Sequence, residues 1–271
     1  MRVQVLFGII AFGAALHLSP RAAAQVSPEN WLTPLHKLTV KRDPGAIALV
    51  EGSLRAMNPL GLPPITDLTL TGDVTRWFGK DASGEFEESA IGMGTQLISI
   101  RVNGAIVYES SQTAGKENHQ ASKDLPPSIV NRRPIEHLPH LPQPLLQELL
   151  GNDLDDIELI ADDPEDSTVS RVRVILRPRD WQPYMRDLKS ASFDLYISKQ
   201  THLPSKVRGL NHFDGTPHHV MPSELLFTDY RVEQGYLVPH SFEERYVGKS
   251  MHGFSARSIV LNQGQLPGSL N

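Results

Sequence analysis

Apolar and polar positions alternate along most of this chain, and a period of two predicts β-strands with one face toward a core. Such strands are indicated from Ile65 toward Phe78, at 84–91, at 96–102 and repeatedly after residue 171. In the clearest of these strands, the apolar positions that share a face are Leu68, Leu70, Ile98, Ile100, Val172, Val174, Leu176, Leu195 and Ile197. Because strands dominate and short connections join them, we expect one continuous antiparallel sheet that curls around its apolar face.

The opposite face of the strand near residue 174 is basic. Arg171, Arg173 and Arg177 alternate with the valines there, and Ile175 is the exception on the wet side. This strand should therefore have one buried and one solvated face. Asn103-Gly104, which separates two strand-like runs, predicts a two-residue hairpin and hence antiparallel pairing.

Two helices are predicted between the strands. Asp43 is a suitable N-cap, Pro44 follows it, and apolar residues recur at helical spacing as far as Met57. A shorter helix is expected from Pro144 to Leu150. Between Ser111 and Pro144 the periodicity is lost, so a long loop or irregular crossing is expected there.

The first 24 residues have the three parts of a secretory signal peptide. A charged start is followed by a short apolar run, and Ala22-Ala23-Ala24 offers an Ala-x-Ala cleavage site. We expect cleavage after Ala24, a lead-in at 25–42, a single domain at 43–263 and a C-terminal tail at 264–271. The predicted location is the periplasm or the extracellular medium.

Composition narrows the possible partners. Cleavage after residue 24 removes Arg2 and Arg21 but no acidic residue. The formal net charge therefore changes by two units, from -5 to -7. An acidic chain argues against nucleic acid as a partner. The sequence has no cysteine, which excludes disulfides and an acylated N-terminal cysteine, so no lipid anchor is expected. No later segment is long and apolar enough for stable membrane insertion.

Catalytic motifs are not evident. Gly248-Lys249-Ser250 resembles the end of a phosphate-binding loop, but Glu243 stands where that loop needs glycine. The nucleophile motif Gly-x-Ser-x-Gly does not occur, and cysteine nucleophiles are excluded. The carboxylates at 153–156 and 162–166 have the spacing of solvated turns. We therefore expect no enzyme activity, no catalytic residue and no cofactor.

The histidines are the remaining candidates for metal binding. His212, Asp214, His218 and His219 could chelate zinc or copper, but their spacing is more typical of a turn with exposed histidines. Metal binding is likewise not expected at His137 and His140. No metal ligand is assigned.

The last ninety or so residues resemble a known superfamily. The segments that carry the resemblance are 193–197 (FDLYI) with 201–204 (THLP), 227–231 (FTDYR), 235–239 (GYLVP) and 259–262 (IVLN). In this order of strands and turns the chain is similar to the LolA/LolB/LppX-like superfamily of exported lipid and lipoprotein carriers. The resemblance implies a mainly β protein with a few helices. Its fold would be a curved antiparallel half-barrel whose concave face is covered by helices and loops, with an apolar cavity for acyl chains.

The chain departs from that superfamily in two features. There is no cysteine for a lipid anchor, which removes the anchored LolB-like role. The Ser111 to Pro144 segment is polar and proline-rich, whereas a hydrophobic lid would be the more typical cover.

The functional expectation is an exported, soluble carrier or binding protein for a lipid or other apolar molecule. A lipid or acyl chain would then contact the nine apolar residues named above, from Leu68 to Ile197. The alternative is a cell-envelope interaction or structural module with a filled core and no ligand. The sequence does not specify a protein partner.

Overall fold

The structure, a computed structural model, describes residues 40–113, 116–121, 140–151, 153, 155–160, 162–163, 166–176, 191–212 and 220–265. At a few strand ends, including Leu176, the description covers the backbone alone. All of these residues belong to one compact unit, Thr39–Asn271. The proposed signal peptide, Arg177 and most of the His212–His219 segment lie outside the described residues.

Two helices are present in the described chain. Helix α1 spans Pro44–Met57, and Asp43 caps it by accepting hydrogen bonds from the backbone N–H groups of Gly45 and Ala46 at 2.7 and 3.0 Å. This cap satisfies two N–H groups that have no partner within the helix. Helix α2 spans Pro142–Gly151, two residues longer at its start than predicted. Neither helix, nor any other in the described chain, is long and apolar enough to cross a bilayer.

Twelve strands form one sheet, which makes the protein mainly β. In chain order they are β1 Asp67–Trp77, β2 Lys80–Ile91, β3 Thr95–Val102, β4 Ala105–Thr113, β5 Lys116–Ala121, β6 Asp156–Ile160, β7 Val169–Leu176, β8 Ala191–Ser198, β9 Pro204–His212, β10 Val220–Glu233, β11 Tyr236–Tyr246 and β12 Lys249–Leu261. Their order across the sheet is β5-β4-β3-β2-β1-β12-β11-β10-β9-β8-β7-β6. All eleven neighbouring pairs are antiparallel, as expected from the short connections.

The sheet is an open, curved half-barrel with one buried face. Alternate residues of its strands join α1 and α2 in a single apolar core. We call the face that carries these residues the inner face and the opposite one the outer face. The predicted fold class is confirmed, because one antiparallel sheet encloses its apolar face and helices pack onto it.

The predicted hairpin between β3 and β4 is also present. Asn103 and Gly104 both have positive φ, 52° and 79°, as a tight two-residue hairpin turn requires. Asn tolerates this backbone conformation and glycine adopts it without steric cost, which explains the choice of both residues.

The prediction of a loop from Ser111 to Pro144 was partly wrong. Strand β4 continues to Thr113, and β5 forms a further strand at the sheet edge. The sequence of β5, KENHQA, offers almost no apolar position, so alternation could not reveal it. An edge strand can be stabilised by its ladder of hydrogen bonds to a single neighbour.

The prediction of solvated acidic turns was partly wrong, since Asp153 and Asp162 are exposed but three other carboxylates are not. Asp155, Asp156 and Asp163 are buried, whereas the sequence pattern indicated solvated carboxylates. Asp156 accepts a hydrogen bond from the backbone N–H of Lys41 at 2.8 Å, beside the isolated bridge that joins Arg42 to Ile157. A buried carboxylate requires such donors, and spacing along the sequence does not reveal them.

Candidate functional site

The nine residues predicted to contact a ligand fall in two parts of the inner face. Leu68, Leu70, Ile98 and Ile100 lie on β1 and β3, and Val172, Val174, Leu195 and Ile197 lie on β7 and β8. All eight are buried members of the one apolar core. The ninth is Leu176, whose side chain is outside the described part of the structure.

The structure brings some of these residues together directly. Val172 and Leu195 are directly opposite each other on β7 and β8. Leu70 and Ile98 are not neighbours, because Glu88 of β2 lies between them, opposite both. A carboxylate therefore occupies the middle of the apolar surface formed by β1, β2 and β3.

Glu88 is fully buried and accepts several hydrogen bonds. Its Oε1 accepts from Gln96 Nε2 at 2.9 Å and from the backbone N–H of His140 at 3.2 Å. Its Oε2 lies 2.6 Å from His140 Nδ1. Together these donors offset the cost of removing the carboxylate from water.

His140 lies two residues before the start of α2 and is 9% exposed at its side chain. Burial by itself lowers the pKa of this imidazole, but the charge and the hydrogen bond of Glu88 outweigh that effect, and the pKa is raised. The ring contacts Phe242 and Phe254, with centroids 5.3 and 5.4 Å away. Glu88 and His140 thus form a buried hydrogen-bonded pair bordered by aromatic rings, and the pair joins the segment before α2 to β2.

A second buried histidine–glutamate pair lies on the same face. Glu244 Oε2 accepts from His252 Nδ1 at 2.7 Å and from the Tyr246 hydroxyl at 3.0 Å. The Trp77 ring is stacked on His252 with a centroid distance of 4.5 Å. Phe254, 6.4 Å from His252, lies between this pair and His140.

The sequence interpretation missed Glu88 and considered His140 only as a candidate metal ligand, which it did not assign. One signal was available for Glu88, because it has the same parity as Phe86 and Ala90 and must share their face in a strand. No local pattern indicates that His140 is its partner, since 52 residues separate the two. Among the described residues, no three histidine or acidic side chains are placed to hold a metal ion.

Two cavities bordered by described residues have polar linings. One of about 350 Å³ is lined mainly by polar and charged residues, among them Arg76, Asp81 and Glu243. The other, of about 210 Å³, includes Glu85, Arg101 and Arg257. None of the eight described candidate residues borders either cavity.

No family description matches this sequence, and no curated protein does. Solved structures do resemble the chain. A domain from Vibrio parahaemolyticus, described as an outer membrane lipoprotein-sorting protein domain, has 9% sequence identity and a TM-score of 0.46, with 82% of this chain and 97% of that one covered.

Two further solved structures have similar values. A DUF1329 family protein from Desulfovibrio piger has 11% identity and a TM-score of 0.46, covering 85% of this chain and 98% of its own. A LolA superfamily protein from Nitrosomonas europaea has 8% identity and a TM-score of 0.42, covering 83% and 96%. The chain is thus similar in outline to solved structures that include an outer membrane lipoprotein-sorting domain and a LolA superfamily protein.

Proposed function

We propose that this chain is a carrier or binding protein for a lipid or another apolar molecule that lies against the inner face of the sheet. One observation carries the proposal. Apolar residues from β1, β3, β7 and β8 share one face of a single sheet, and in the described chain only two short helices pack onto that face. An apolar concave surface with few polar groups is the usual form of a small-molecule site.

Within this surface we place the ligand at the end formed by β1, β2 and β3. The main contacts of the two helices with the sheet are those of α1 with β6 and β11. Gln143 of α2 also donates to the Leu237 carbonyl of β11 at 2.8 Å. Apart from the Glu88–His140 contact, these helix contacts lie away from β1, β2 and β3, so we place Leu68, Leu70, Ile98 and Ile100 against the ligand. Val172, Val174, Leu176, Leu195 and Ile197 would form the far end of the same surface.

The Glu88–His140 pair gives this surface a polar centre. An apolar ligand with a polar end could place that end beside the imidazole and the carboxylate, while its hydrocarbon chain contacts Ile98 and Ile100. A few polar groups in an apolar site typically fix the orientation of the ligand.

The proposed compartment follows from the signal-like sequence at 1–24 and from the absence of cysteine. The mature protein would be exported and free of a lipid anchor. A lipid or other poorly soluble molecule that moves through an aqueous compartment needs a protein to shield it from water, since its apolar surface is unfavourable there.

A filled-core interaction module is the second candidate. It is favoured by the observation that all eight described candidate residues are packed in the core and border neither polar cavity. This module would bind another protein or contribute to the cell envelope, and its inner face would never open.

A pair of tryptophan variants separates the two candidates. Ile100→Trp fills the proposed site, and Ile106→Trp makes the same change at a residue that is 43% exposed. The carrier proposal expects a fluorescent fatty acid to bind the parent and Ile106→Trp alike, and to bind Ile100→Trp at least tenfold more weakly. If the parent shows no saturable binding and Ile100→Trp loses about 1–3 kcal/mol of stability through overpacking, the filled-core alternative is correct.

A further inference from the structure

Charged residues on the outer face form a row with alternating signs. Directly opposite one another across six neighbouring strands are Glu158, Arg173, Asp194, Arg208, Glu224 and Arg245. Each interior member lies between two residues of opposite sign. Two of these pairs are in contact: Arg173 Nε lies 2.9 Å from Asp194 Oδ1, and Arg208 Nε lies 3.7 Å from Glu224 Oε1. Opposite charges at facing positions stabilise the pairing of strands.

A second row of outward-facing residues lies two positions away along each strand. It has no acidic residue at the position that corresponds to Asp194. Arg171 and Lys206 are directly opposite Tyr196 on either side. Tyr196 therefore occupies the position that Asp194 has in the first row, between two cations. The Lys206 ammonium lies 4.3 Å from the centre of the Tyr196 ring, a cation–π contact.

Two polar atoms of this second row are buried without a hydrogen-bond partner among the described residues. One is the hydroxyl of Tyr196, a side chain that is fully buried although it belongs to the outer face. The other is the Nε of Arg171. Buried polar groups are nearly always hydrogen-bonded, so two such atoms on directly opposite residues indicate a group that binds between them.

The charges around these two atoms favour an anion. Within the described part of the chain Arg171 has no carboxylate partner, whereas Lys206 has Glu224 at 3.5 Å and Asp163 at 4.0 Å. Both Arg171 Nε and the Tyr196 hydroxyl can donate, and arginine and tyrosine donors match an acceptor with several oxygens. We propose that Arg171, Tyr196 and Lys206 form a binding site for a small oxyanion, namely phosphate or a carboxylate.

This site does not depend on the proposed carrier role, because it lies on the opposite face of the sheet. The burial of Tyr196 selects a small ligand that can reach an enclosed hydroxyl. The oxyanion is either a free anion or part of a larger molecule such as an anionic lipid headgroup, and the two sources share the same contacts.

The test is a titration of the mature protein with inorganic phosphate, followed by calorimetry and by melting temperature, against sodium chloride at equal ionic strength. The parent should bind phosphate and melt at a higher temperature in it. Tyr196→Phe removes one oxygen and should weaken binding about tenfold or more, as expected for a hydrogen bond to a charged group. Arg171→Gln should do the same.

Arg173→Gln is the matched control, because it removes a cation from the same strand and face that is already paired with Asp194. Its phosphate affinity should stay within about twofold of the parent's. Equal responses to phosphate and chloride would mean a bound water only and would overturn the proposal. An equal loss of affinity in Arg173→Gln and Arg171→Gln would overturn it too, since the response would then be general charge screening.

Anionic and neutral lipid vesicles identify the source of the anion. If the site binds free anions only, the parent protein does not sediment with either kind of vesicle. Sedimentation with anionic vesicles that both Tyr196→Phe and Arg171→Gln abolish would support the same site with a lipid headgroup as its ligand. Sedimentation that neither variant changes, together with the absence of phosphate binding, would contradict the site. If Arg171→Gln does not fold, Tyr196→Phe alone decides the result.

Discussion

Glu88 and His140 are 52 residues apart in the sequence, yet His140 Nδ1 lies 2.6 Å from Glu88 Oε2 on the inner face. Glu88 is fully buried, and the aromatic rings of Phe242 and Phe254 border the histidine. This contact joins the start of α2 to β2. In the carrier account, the same pair is the polar group that a ligand meets.

The Glu88–His140 pair should make stability depend on pH. The pKa of His140 is raised in the folded protein above its ordinary value of 6.5. A group whose pKa is higher in the folded than in the unfolded protein contributes its full stabilisation below the unfolded-state pKa. That contribution is lost as the pH rises through the folded-state pKa. Urea unfolding between pH 5.5 and 9 should show a decline in the parent that His140→Gln lacks. Equal slopes in the two proteins would contradict this assignment.

Removal of the Glu88 charge should destabilise the protein at every pH in that range. Glu88→Gln keeps the size of the side chain but weakens the hydrogen bonds from His140 and Gln96, and a cost of about 1.5–3 kcal/mol is expected. Glu87→Gln is the control, because Glu87 is the exposed neighbour and should change stability by no more than about 0.5 kcal/mol. Equal effects of the two changes on the free energy of unfolding would rule out a special role for Glu88.

The sequence revealed elements whose signals are local. The Asp43 cap with Pro44 indicated α1, and Asn103-Gly104 indicated the β3–β4 hairpin. The alternation at Leu68 and Leu70 indicated β1. Each of these depends on residues within a few positions of one another, which is the range over which periodicity and turn chemistry act.

Contacts between distant segments could not be predicted in this way. His140 meets Glu88 only because the chain between them returns α2 to β2, and no spacing rule contains that information. Tyr196 has the parity of Asp194 and therefore belongs to the outer face, but this parity does not reveal that the side chain is fully buried. Asp163 is buried close to Lys206 for similar reasons, and a charge pattern alone indicated a solvated turn.

The far end of the apolar surface should not tolerate a larger side chain. Val174 is fully buried with Ile157 and Phe193 directly opposite on the two neighbouring strands. Val174→Trp should lower the free energy of unfolding by about 1–3 kcal/mol through overpacking. Val232→Trp, at a β10 position that is 67% exposed, should change it by less than about 0.5 kcal/mol. Chemical denaturation measures both, and an unchanged Val174→Trp would reveal free space at this end.

The outer charge row should contribute modestly to strand pairing. Asp194→Arg places like charges beside Arg173 and Arg208 at a partly buried position, and this reversal should cost about 1 kcal/mol or more at low salt. Asp194→Asn removes the carboxylate without adding a like charge and should cost less. Both effects should decrease at 1 M salt, because screening shortens the range of exposed charges. A cost that salt leaves unchanged would indicate a packing defect instead.

Export predicts a defined N-terminus for the mature protein. Intact-mass analysis of protein recovered from outside the cytoplasm should give a chain that begins at or near Gln25, because the Ala22-Ala23-Ala24 segment offers the cleavage site. Recovery of a secreted form that retains Met1 to Ala24 would overturn the proposed compartment.

The most direct test of the carrier proposal is mass spectrometry of an organic extract from the protein purified from its native source without detergent or delipidation. The account predicts a lipid or other apolar molecule in a fixed ratio to the protein, and a much smaller amount of it with Ile100→Trp than with Ile106→Trp. The carrier proposal would be contradicted if the extract contained no apolar molecule above the level found with a control protein and if the parent protein also failed to bind a fluorescent fatty acid.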